Sequence, residues 1–416
     1  MTKQKERHAG LVRDAMIFAM NETLAEAPCA TTAVLLSGGL DTSIITDAAN
    51  ARDPRLLAAG KPGTVASDGF VHAVTLSVDT DPISEEDGTN EDATINKKPW
   101  LDLPYALAIA RRYPAMRHHV VKVTDPMETL MRSDTLVFCI RTLNTFDPME
   151  LRGGVALAHA MIHAKSLGID TLVTGDSADE LFAGYSFLTG LSDVKLRKWI
   201  KRYVGNSSFS AVPMGNALGM RVIQPYLHQR VIDVALQCNK DDLVGPDPMD
   251  PALVHGKYVL RVAFPEAASQ WRKKIPLETG AGTTPIGEVF TKSVEKEWLS
   301  AQMDEVYTRY GIVIRDAEHL HYFRVFEKLF AEHVDNPAGT DAALSVTTQT
   351  NTDPTLERFA RPTRNVRWTT SLPRFGADPC VKCGFELDRA DQYFCKTCGA
   401  WPARAGGIPQ DTEEDE

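Results

Sequence analysis

Short blocks of apolar residues, each the length of one strand, recur through the first half of the chain and end at turn residues. Four of them predict strands, of which the first and last are expected to be buried: AVLLS (33–37), FVHAVTLSVD (70–79), HHVVKV (118–123) and IDTLVTG (169–175). Helical spacing lies between them, in the segment after Ser43, over 101–113, and over 153–168 with Gly168 as C-cap. Strands that alternate with helices predict a parallel sheet with right-handed crossovers, so the expected fold class is α/β.

The pattern changes along the chain and predicts five segments. From residue 190 the strand blocks disappear and helical spacing dominates, and after residue 335 Asn, Thr, Pro and Arg replace periodic apolar positions. Within the first domain, the polar stretch 79–100 predicts a mobile loop. The predicted segments are an N-terminal helix (1–30), an α/β domain (31–335), a linker (336–375), a small cysteine-bearing unit (376–402) and a disordered acidic tail (403–416).

Composition and charge narrow the class of protein. Of the 416 residues, 43% are hydrophobic and 24% are charged, as in soluble globular proteins. A net charge of −10 argues against nucleic-acid binding over the whole surface but leaves room for a local basic patch. No apolar run approaches the roughly 20 residues of a membrane span, and the charged, amphipathic N-terminus lacks the features of a signal peptide. We therefore expect a cytoplasmic protein that does not bind membranes.

The turn SGGLDTS (37–43) follows the first predicted strand and opens the next helix. Backbone N–H groups and the positive end of the helix dipole would meet there, which suits an anion such as phosphate. Gly38 and Gly39 permit close approach of the backbone, and Asp41 would repel phosphate unless Mg²⁺ lies between them. The turn lacks the lysine of the GxxxxGK[ST] phosphate loop, and an ordinary tight turn is the alternative interpretation.

A second turn, TGDSADELFAGY (174–185), follows another buried strand and carries three acidic residues. Ligands of open parallel sheets bind at the carboxyl ends of the strands, so the two turns should meet at one edge. Asp41 and Asp179 could then hold Mg²⁺ between them. The alternative is that these acids only stabilise the N-terminus of a helix.

The two turns resemble those in the synthetase domain of glutamine-hydrolysing asparagine synthetases and of the related β-lactam and carbapenam synthetases. SGGLDTS is similar to the pyrophosphatase loop SGGxDS of that family, with Thr42 in place of Ser, and TGDSADELFAGY is similar to SGEGSDELFGGY. Further similar segments follow in the family's order within residues 10–300: TLSVD (75–79), 101–119, TFDPMELR (145–152), 216–236, KYVLRVAF (257–264) and RKKIPLETGAG (272–282). The resemblance implies a parallel-sheet PP-loop domain of the adenine nucleotide α-hydrolase type with a mostly helical C-terminal part.

The resemblance also implies an AMP-forming carbon–nitrogen ligase, which adenylates a carboxylate with ATP and transfers it to ammonia or an amine. It implies that Asp41 and Asp179 bind Mg²⁺. It further implies that Lys274 is the catalytic lysine beside the leaving pyrophosphate and that Asp176 is a candidate base, although the family has the longer Glu there. The residues implied for ATP binding are Leu36, Ser37, Gly38, Gly39, Asp41, Thr42, Val78 and Gly175.

Three departures from the family bear on the substrates. Family members carry an additional N-terminal domain, a glutaminase in the asparagine enzymes, whereas this chain has Thr2 and only a short segment before the first turn. We therefore expect no glutamine hydrolysis within this chain, and nitrogen from free ammonia, a substrate amine or a partner such as a separate amidotransferase. Ser177 stands where the family has Gly, and IQPYLHQ (223–229) replaces the family's VPFLD, so the acid need not be aspartate.

Four of the seven cysteines form two CxxCG motifs, CVKCG (380–384) and CKTCG (395–399). Each motif presents two thiolates on a tight turn, and four thiolates make a closed tetrahedral zinc site. We predict a structural zinc ribbon, with redox pairs or disulfides as the alternatives. The predicted zinc ligands are Cys380, Cys383, Cys395 and Cys398, whereas Cys29, Cys139 and Cys238 suit buried reduced thiols.

Two other functions are compatible with the sequence. The basic segment KLRKWIKRY (195–203), together with the zinc ribbon, favours an RNA-modifying adenylating enzyme, although a solvated helix face explains the same residues. The altered substrate segment favours a regulatory or scaffold protein that binds ATP without turnover. Asp41, Asp179 and Lys274 are all present, which favours the ligase.

Overall fold

The structure is a computed structural model of the chain, and it describes residues 3–50, 61–78, 101–204, 208–330 and 374–406. The chain forms two compact units, each built from two stretches of sequence. The first comprises Met1–Thr124 and Ala160–Gly282, and the second comprises Asp125–His159 and Thr283–Glu416. The predicted loop over 79–100 lies outside the described residues, as do 336–373 of the predicted linker and 407–416 of the predicted tail.

The first unit is organised around a five-stranded parallel sheet with the order β3-β2-β1-β4-β5. The strands are β1 (Thr32–Leu35), β2 (His72–Val78), β3 (Arg117–Val123), β4 (Thr171–Val173) and β5 (Arg221–Ile223). Every residue of β2 is buried, as expected for an inner strand of a parallel sheet, and the buried residues include the polar His72, Thr75 and Ser77. The predicted α/β class with a parallel sheet is confirmed, whereas the three residues of β5 give too short a pattern to predict that strand.

Helices make up much of the remaining described chain, and the described part of the segment 190–335, which ends at residue 330, is mostly helical, as predicted. In chain order they are α1 (Lys3–Leu24), α2 (Leu40–Asn50), α3 (Val65–Asp68), α4 (Leu103–Arg111), α5 (Asp134–Leu143), α6 (Pro148–Ser166), α7 (Ala178–Leu181), α8 (Ser186–Thr189), α9 (Asp193–Val204), α10 (Ala211–Leu218), α11 (Gln229–Ala235), α12 (Lys240–Leu243), α13 (Tyr258–Ala263), α14 (Leu277–Gly280), α15 (Ile286–Lys292), α16 (Lys296–Tyr310) and α17 (Ala317–Phe330). A small antiparallel pair joins β6 (Gly245–Pro246) to β7 (Val254–His255). Among the described helices, none combines the length and apolar character needed to cross a membrane.

The N-terminal helix α1 belongs to the core of the first unit. Its buried residues Val12, Met16, Met20 and Leu24 recur at every fourth position, so they line one face of the helix. That face packs against the helices Gln229–Ala235 and Tyr258–Ala263. The N-terminal segment therefore supports the helices that approach the carboxyl edge of the sheet.

The second unit has an aromatic core to which the cysteine-bearing segment is docked. Phe146 and Phe326 pack edge to face with ring centroids 5.0 Å apart, and Phe385 packs on Phe326 at 5.7 Å. The guanidinium of Arg315 donates to the carbonyl of Cys398 at 3.2 Å. The cysteine motifs are thus fixed to this core by both ring packing and a charged hydrogen bond.

Candidate active site

The first glycine turn joins β1 to α2 at the carboxyl edge of the sheet. Gly38 has a left-handed φ of +74°, and a Cβ built on it would lie 2.6 Å from the backbone nitrogen of Ala106 in α4. The Gly39 N–H donates to Ser37 Oγ at 3.3 Å, and the hydroxyls of Ser37 and Thr42 lie 3.2 Å apart. Glycine at position 38 is therefore required both by its backbone conformation and by the close approach of α4.

The second turn places its acidic residues beside the first. Lys257 Nζ lies 2.7 and 2.6 Å from the two carboxylate oxygens of Asp41 and 2.7 Å from Oδ1 of Asp179. Lys274 Nζ lies 2.8 Å from the other carboxylate oxygen of Asp179. The structure thus brings together the Asp41 and Asp179 carboxylates, which the sequence places at one sheet edge, and Lys274. We call these three residues and Lys257 the acid–lysine cluster.

The sequence pattern does not single out Lys257, although it contacts both carboxylates. This residue is 3% exposed and adopts a left-handed φ of +56° just before α13. Its N–H donates to the carbonyl of Phe182 at 2.7 Å, so the second turn fixes its backbone. Gly184 leaves the necessary space, because a Cβ there would collide with both Asp179 and the Lys257 side chain. The one signal in the sequence is a lysine between Gly256 and the apolar run YVL, which is also ordinary for the exposed start of a helix.

The pKa values of the two carboxyls in the acid–lysine cluster are shifted in opposite directions. Burial raises the pKa of Asp41, and the adjacent Lys257 ammonium only partly offsets this effect. Burial acts on Asp179 as well, but Lys257 and Lys274 together outweigh it and lower the pKa of that carboxyl. For Lys274, burial disfavours the charged form, yet Asp179 and Asp41 outweigh burial and raise the pKa. An ionised Asp179 therefore faces a charged Lys274.

The other residues implied for nucleotide binding lie along the same edge of the sheet. The Leu36 N–H donates to β2 at 2.8 Å, directly after β1. Val78, the last residue of β2, donates its N–H to the carbonyl of Ala281 at 2.8 Å. Gly175 follows β4, and a Cβ on it would lie 2.9 Å from the Cβ of Asp41. These residues thus occupy the carboxyl ends of three adjacent strands, where ligands of open α/β sheets bind.

The segment that carries Lys274 is anchored at the N-terminus of α4. The Asp102 N–H donates to the carbonyl of Gly280 at 2.9 Å, and Asp102 Oδ1 lies 2.9 Å from the Arg272 guanidinium. Arg272 also lies over the ring of Tyr105, at 3.9 Å from its centroid. Burial raises the pKa of Asp102 to about 6, against the opposing effect of Arg272. The segment is therefore held on both sides of Lys274.

Asp176, the candidate base, lies buried within the second turn. Its Oδ2 accepts hydrogen bonds from the Thr174 hydroxyl at 2.6 Å and from the Gln224 amide at 2.7 Å. Burial raises the pKa of Asp176, and these two hydrogen bonds oppose the rise. Gln224 belongs to the segment IQPYLHQ, which departs from the family pattern, and no sequence signal indicated that it contacts the second turn.

The four cysteines of the CxxCG motifs come together in the second unit. All four are buried, and their sulfur atoms lie within 4.8 Å of one another. The Cys380–Cys398 and Cys383–Cys395 sulfur pairs are 3.8 and 3.7 Å apart. The glycine after each motif has a left-handed φ, +75° and +70°, which the tight turn requires. The arrangement is a candidate metal centre.

A second group of potential metal ligands, His8, Cys238 and Asp242, lies in the first unit with its ligand atoms within 4.8 Å of one another. The Asp242 carboxylate accepts a hydrogen bond from the backbone of Asn239 at 3.0 Å and lies 2.6 Å from the His8 ring. Burial raises the pKa of Cys238 to about 12, so its thiol stays protonated. A capped helix with a neighbouring histidine accounts for these contacts.

The carboxyl edge of the sheet offers groups of both signs within one site. Backbone N–H groups and hydroxyls of the glycine turn suit phosphate oxygens. The two carboxylates suit a hard divalent cation, and the lysines suit negative charge that develops during a reaction. The arrangement therefore fits a nucleotide that binds with a divalent metal.

Comparison with known proteins identifies a family match and several relatives. Residues 30–211 match the family described as asparagine synthase. A probable glutamine-hydrolysing asparagine synthetase of Dictyostelium discoideum is 26% identical over 163 residues, which cover 36% of this chain and 29% of that protein. The glutamine-hydrolysing asparagine synthetase B of Escherichia coli (strain K12) is 24% identical over 312 residues, which cover 71% of this chain and 50% of that protein. The chain thus spans half or less of the length of these relatives.

Proposed function

We propose that the chain is an ATP-dependent carbon–nitrogen ligase, on the premise that residues 30–211 match the asparagine synthase family. It adenylates a carboxylate with release of pyrophosphate, then transfers the acyl group to ammonia or an amine with release of AMP. The observation that carries the proposal is the acid–lysine cluster, which lies at the carboxyl edge of the sheet directly beside the glycine turn.

ATP would bind along the glycine turn. The turn supplies backbone N–H groups and the hydroxyls of Ser37 and Thr42 to phosphate oxygens. Leu36, Val78 and Gly175, at the ends of three strands, would border the adenosine. The left-handed Gly38 keeps this backbone close to α4 and free of side-chain atoms.

Asp41 and Asp179 would hold Mg²⁺, which neutralises phosphate charge when it is bound. The fit rests on one observation: oxygens of both carboxylates lie within 2.7 Å of the same nitrogen, Lys257 Nζ. The two carboxylates therefore already converge on a single positive charge, and carboxylate oxygen is a ligand that Mg²⁺ prefers. Lys257 would balance their charge whenever the metal is absent.

Lys274 and Asp176 would serve the two chemical steps. A carboxylate oxygen of the acid attacks the α-phosphorus, the bond to pyrophosphate breaks, and the charged Lys274 stabilises the negative charge that develops. The nitrogen of the amine then attacks the acyl carbon, the bond to AMP breaks, and the nitrogen gives its proton to Asp176. Burial, which raises the pKa of Asp176, makes this carboxylate a better proton acceptor than an exposed aspartate.

Pyrophosphate release from ATP and Mg²⁺, measured over a panel of carboxylic acids with and without ammonium, tests the proposal. Release should depend on one class of acid and should fall about 100-fold to 1,000-fold in Lys274→Met and in Asp41→Asn. Lys292→Met is the matched control, because Lys292 is an exposed lysine that pairs with Glu288 in the second unit, and it should leave the rate unchanged. ATP binding without release for any acid would contradict the ligase and support a regulatory protein.

The nitrogen donor would be ammonia or an amine, delivered free or by a separate amidotransferase. Amide formation followed by mass spectrometry, with ammonium or with glutamine as the nitrogen source, distinguishes these cases. Product with ammonium but not with glutamine alone would support direct use of ammonia. Acid-dependent pyrophosphate release without product from either source would indicate a larger amine.

The CxxCG cysteines would hold a structural zinc ion. Tetrahedral sulfur ligands at roughly 2.3 Å from zinc lie about 3.8 Å from one another. The two sulfur pairs in the second unit, at 3.8 and 3.7 Å, match that spacing. Because thiolates would fill all four coordination positions, the ion would stabilise the fold and leave no position for a substrate.

A further inference from the structure

Ser177 combines two unfavourable features in the second turn. It has a left-handed φ of +78°, a conformation that residues other than glycine rarely adopt. The residue is 1% exposed, and apart from the neighbouring Tyr203 hydroxyl its own hydroxyl has no hydrogen-bond partner in the described ranges. Glycine at this position would remove both features. A strained residue with an incompletely paired buried hydroxyl, next to the acid–lysine cluster, suits a hydrogen bond to a ligand.

Tyr203 presents a second buried hydroxyl close to Ser177. Within the parts of the chain that the structure describes, this hydroxyl has no partner other than Ser177. Burial, followed by Glu180, raises the pKa of Tyr203, whereas the hydrogen-bonding contact with Ser177 lowers it, so the phenol lies beside both residues. The two hydroxyls therefore face each other beside the carboxylates of the second turn, and the pair keeps hydrogen-bonding capacity for a ligand.

A row of aromatic rings leads from these hydroxyls to the surface. Tyr203 stacks on Trp199 with ring centroids 5.6 Å apart, and Trp199 packs edge to face with Phe187 at 6.0 Å. Phe187 stacks on Tyr185 at 5.5 Å and is 59% exposed, although it is a large apolar residue. We call these four residues the aromatic ladder.

The Tyr185 end of the aromatic ladder lies beside the acid–lysine cluster. The Tyr185 hydroxyl donates to Glu180 at 2.7 Å, and the Tyr185 ring centroid lies 5.8 Å from Lys274 Nζ. The helix that carries Trp199 and Tyr203, α9, has the sequence DVKLRKWIKRYV, with five basic residues and one acidic residue. Planar apolar surface, hydroxyl donors and positive charge thus occur together beside the residues proposed for adenylation.

We propose that the aromatic ladder and Ser177 form the subsite for the acyl substrate, and that this substrate is a carboxylic acid with a planar aromatic group. The inference rests on the proposed ligase function and names its substrate class. The rings supply stacking surface, the Ser177 and Tyr203 hydroxyls donate to a polar oxygen of the substrate, and α9 favours an anion. A small molecule suits the site better than RNA does, because the Ser177 and Tyr203 hydroxyls are buried.

Paired acids that differ only in aromaticity test this substrate class. The pairs are benzoate with cyclohexanecarboxylate and phenylacetate with cyclohexylacetate, each assayed by pyrophosphate release. The aromatic member of each pair should have a roughly tenfold higher kcat/KM. Phe187→Ala should reduce this preference several-fold, while Trp298→Ala, which removes an exposed aromatic residue of the second unit, should not change it.

Two substitutions at Ser177 separate its hydroxyl from its backbone strain. Ser177→Ala removes only the hydroxyl, and Ser177→Gly removes the hydroxyl and the strain. Both should raise the KM for benzoate about tenfold and leave the KM for ATP unchanged. Ser177→Gly should also raise the Tm, an effect that a purely structural role for the hydroxyl would not produce. Asn144→Gly, at another left-handed residue in the second unit, controls for relief of strain alone.

The Tm measured with and without benzoate, in the absence of ATP, tests binding at the subsite independently of ligase activity. If benzoate stabilises the unsubstituted protein but not Ser177→Ala, and no acid supports pyrophosphate release, the subsite stands and the ligase proposal fails. If release occurs at equal rates with both members of each pair, or is unaffected at Ser177, the ligase stands and the aromatic subsite is overturned. Absence of both effects overturns both proposals. Binding of a single-stranded RNA that is lost in Phe187→Ala, without any response to benzoate, would instead assign the aromatic ladder to nucleic acid.

Discussion

Two buried polar clusters, the acid–lysine cluster of the first unit and the four cysteines of the second, differ in how their charge is balanced. In the acid–lysine cluster, Lys257 and Lys274 place ammonium groups within 2.8 Å of the carboxylate oxygens. The cysteine sulfur atoms instead face one another, with pairs 3.7 and 3.8 Å apart. Thiols are weak hydrogen-bond donors and acceptors, so their mutual contacts stabilise the fold little.

The difference agrees with the two proposed roles, a site where a divalent metal exchanges with a lysine and a site that keeps a zinc ion. Carboxylates that the chain's own lysines neutralise are stable before a ligand arrives, and a divalent metal can later replace that positive charge. Four converging thiols gain their main stabilisation only when a metal turns them into bound thiolates. The two clusters should therefore respond in opposite ways to the removal of metal.

Loss of one cysteine ligand should produce the largest effect. Cys383→Ser removes one of four thiolates, and structural zinc in comparable sites contributes an apparent binding free energy of roughly 10 kcal/mol at neutral pH. We expect the metal content measured by mass spectrometry to fall from a single zinc ion per chain to none. The Tm of the second unit should fall with it, because Phe385 packs from the cysteine segment onto the aromatic core.

The matched control for this prediction is Cys139→Ala, which removes a buried lone cysteine from the same unit. It should create a small cavity and keep the zinc ion. Equal metal content in Cys383→Ser and the unsubstituted protein would contradict the proposal that the four cysteines hold a zinc ion.

Removal of the shared lysine should be the next largest effect. Lys257→Met leaves the Asp41 and Asp179 carboxylates buried without their common counter-charge, and loss of one partner from a buried ion pair costs about 3–5 kcal/mol. Urea unfolding should show this loss in the free energy of unfolding. Millimolar Mg²⁺ should restore more stability to the variant than to the unsubstituted protein, because the metal takes the place of the ammonium. A variant of unchanged stability would contradict the view that Lys257 balances the cluster.

Alanine substitution at two neighbouring glycines tests whether the close approach of α4 requires glycine in the turn. Gly38→Ala places a side chain at φ +74° and brings its Cβ to 2.6 Å from the Ala106 backbone. We expect a loss of about 1–3 kcal/mol in the free energy of unfolding. Gly39→Ala is the control, since its Cβ would meet only Ser37 Oγ at 3.3 Å, and it should cost much less. Equal losses in both variants would show that local backbone freedom, and not the approach of α4, decides the turn.

The smallest expected effect concerns His118, a partly buried histidine on β3. The His118 ring lies 2.7 Å from the Thr75 hydroxyl, and burial, followed by the neighbouring His119, lowers the pKa of His118 from 6.5 to about 4. In this interval the unfolded chain binds the proton and the folded chain does not. Stability should therefore fall as the pH drops from 6.5 towards 4, and this contribution should level off below that range.

His118→Gln keeps a partner for the Thr75 hydroxyl and cannot titrate. Urea unfolding above and below the interval should show a weaker dependence on pH in this variant than in the unsubstituted protein. The same slope in both proteins would mean that other groups cause the acid sensitivity.

The sequence by itself determined the parallel α/β sheet and the two turns at its edge. Strands β1 to β4 were predictable because each coincides with a short block rich in apolar and β-branched residues. The glycine turn and the CxxCG motifs were predictable because both depend on local sequence. Glycine can adopt a left-handed φ wherever it stands, and the two cysteines of each motif are only three positions apart. Strand β5 was not, since its sequence, RVI, is too short to carry a pattern and only pairing with β4 makes it a strand.

Only the tertiary structure decided the neighbours of the acidic residues. Lys257 is 216 positions from Asp41, and Gln224 is 48 positions from Asp176, so no local spacing connects either pair. The side chain of Lys257 reaches the carboxylates because its backbone is left-handed and because Gly184 leaves room beside it. Ion pairs and hydrogen bonds of this kind depend on how distant elements pack, and a sequence pattern records only the order and spacing of residues along the chain.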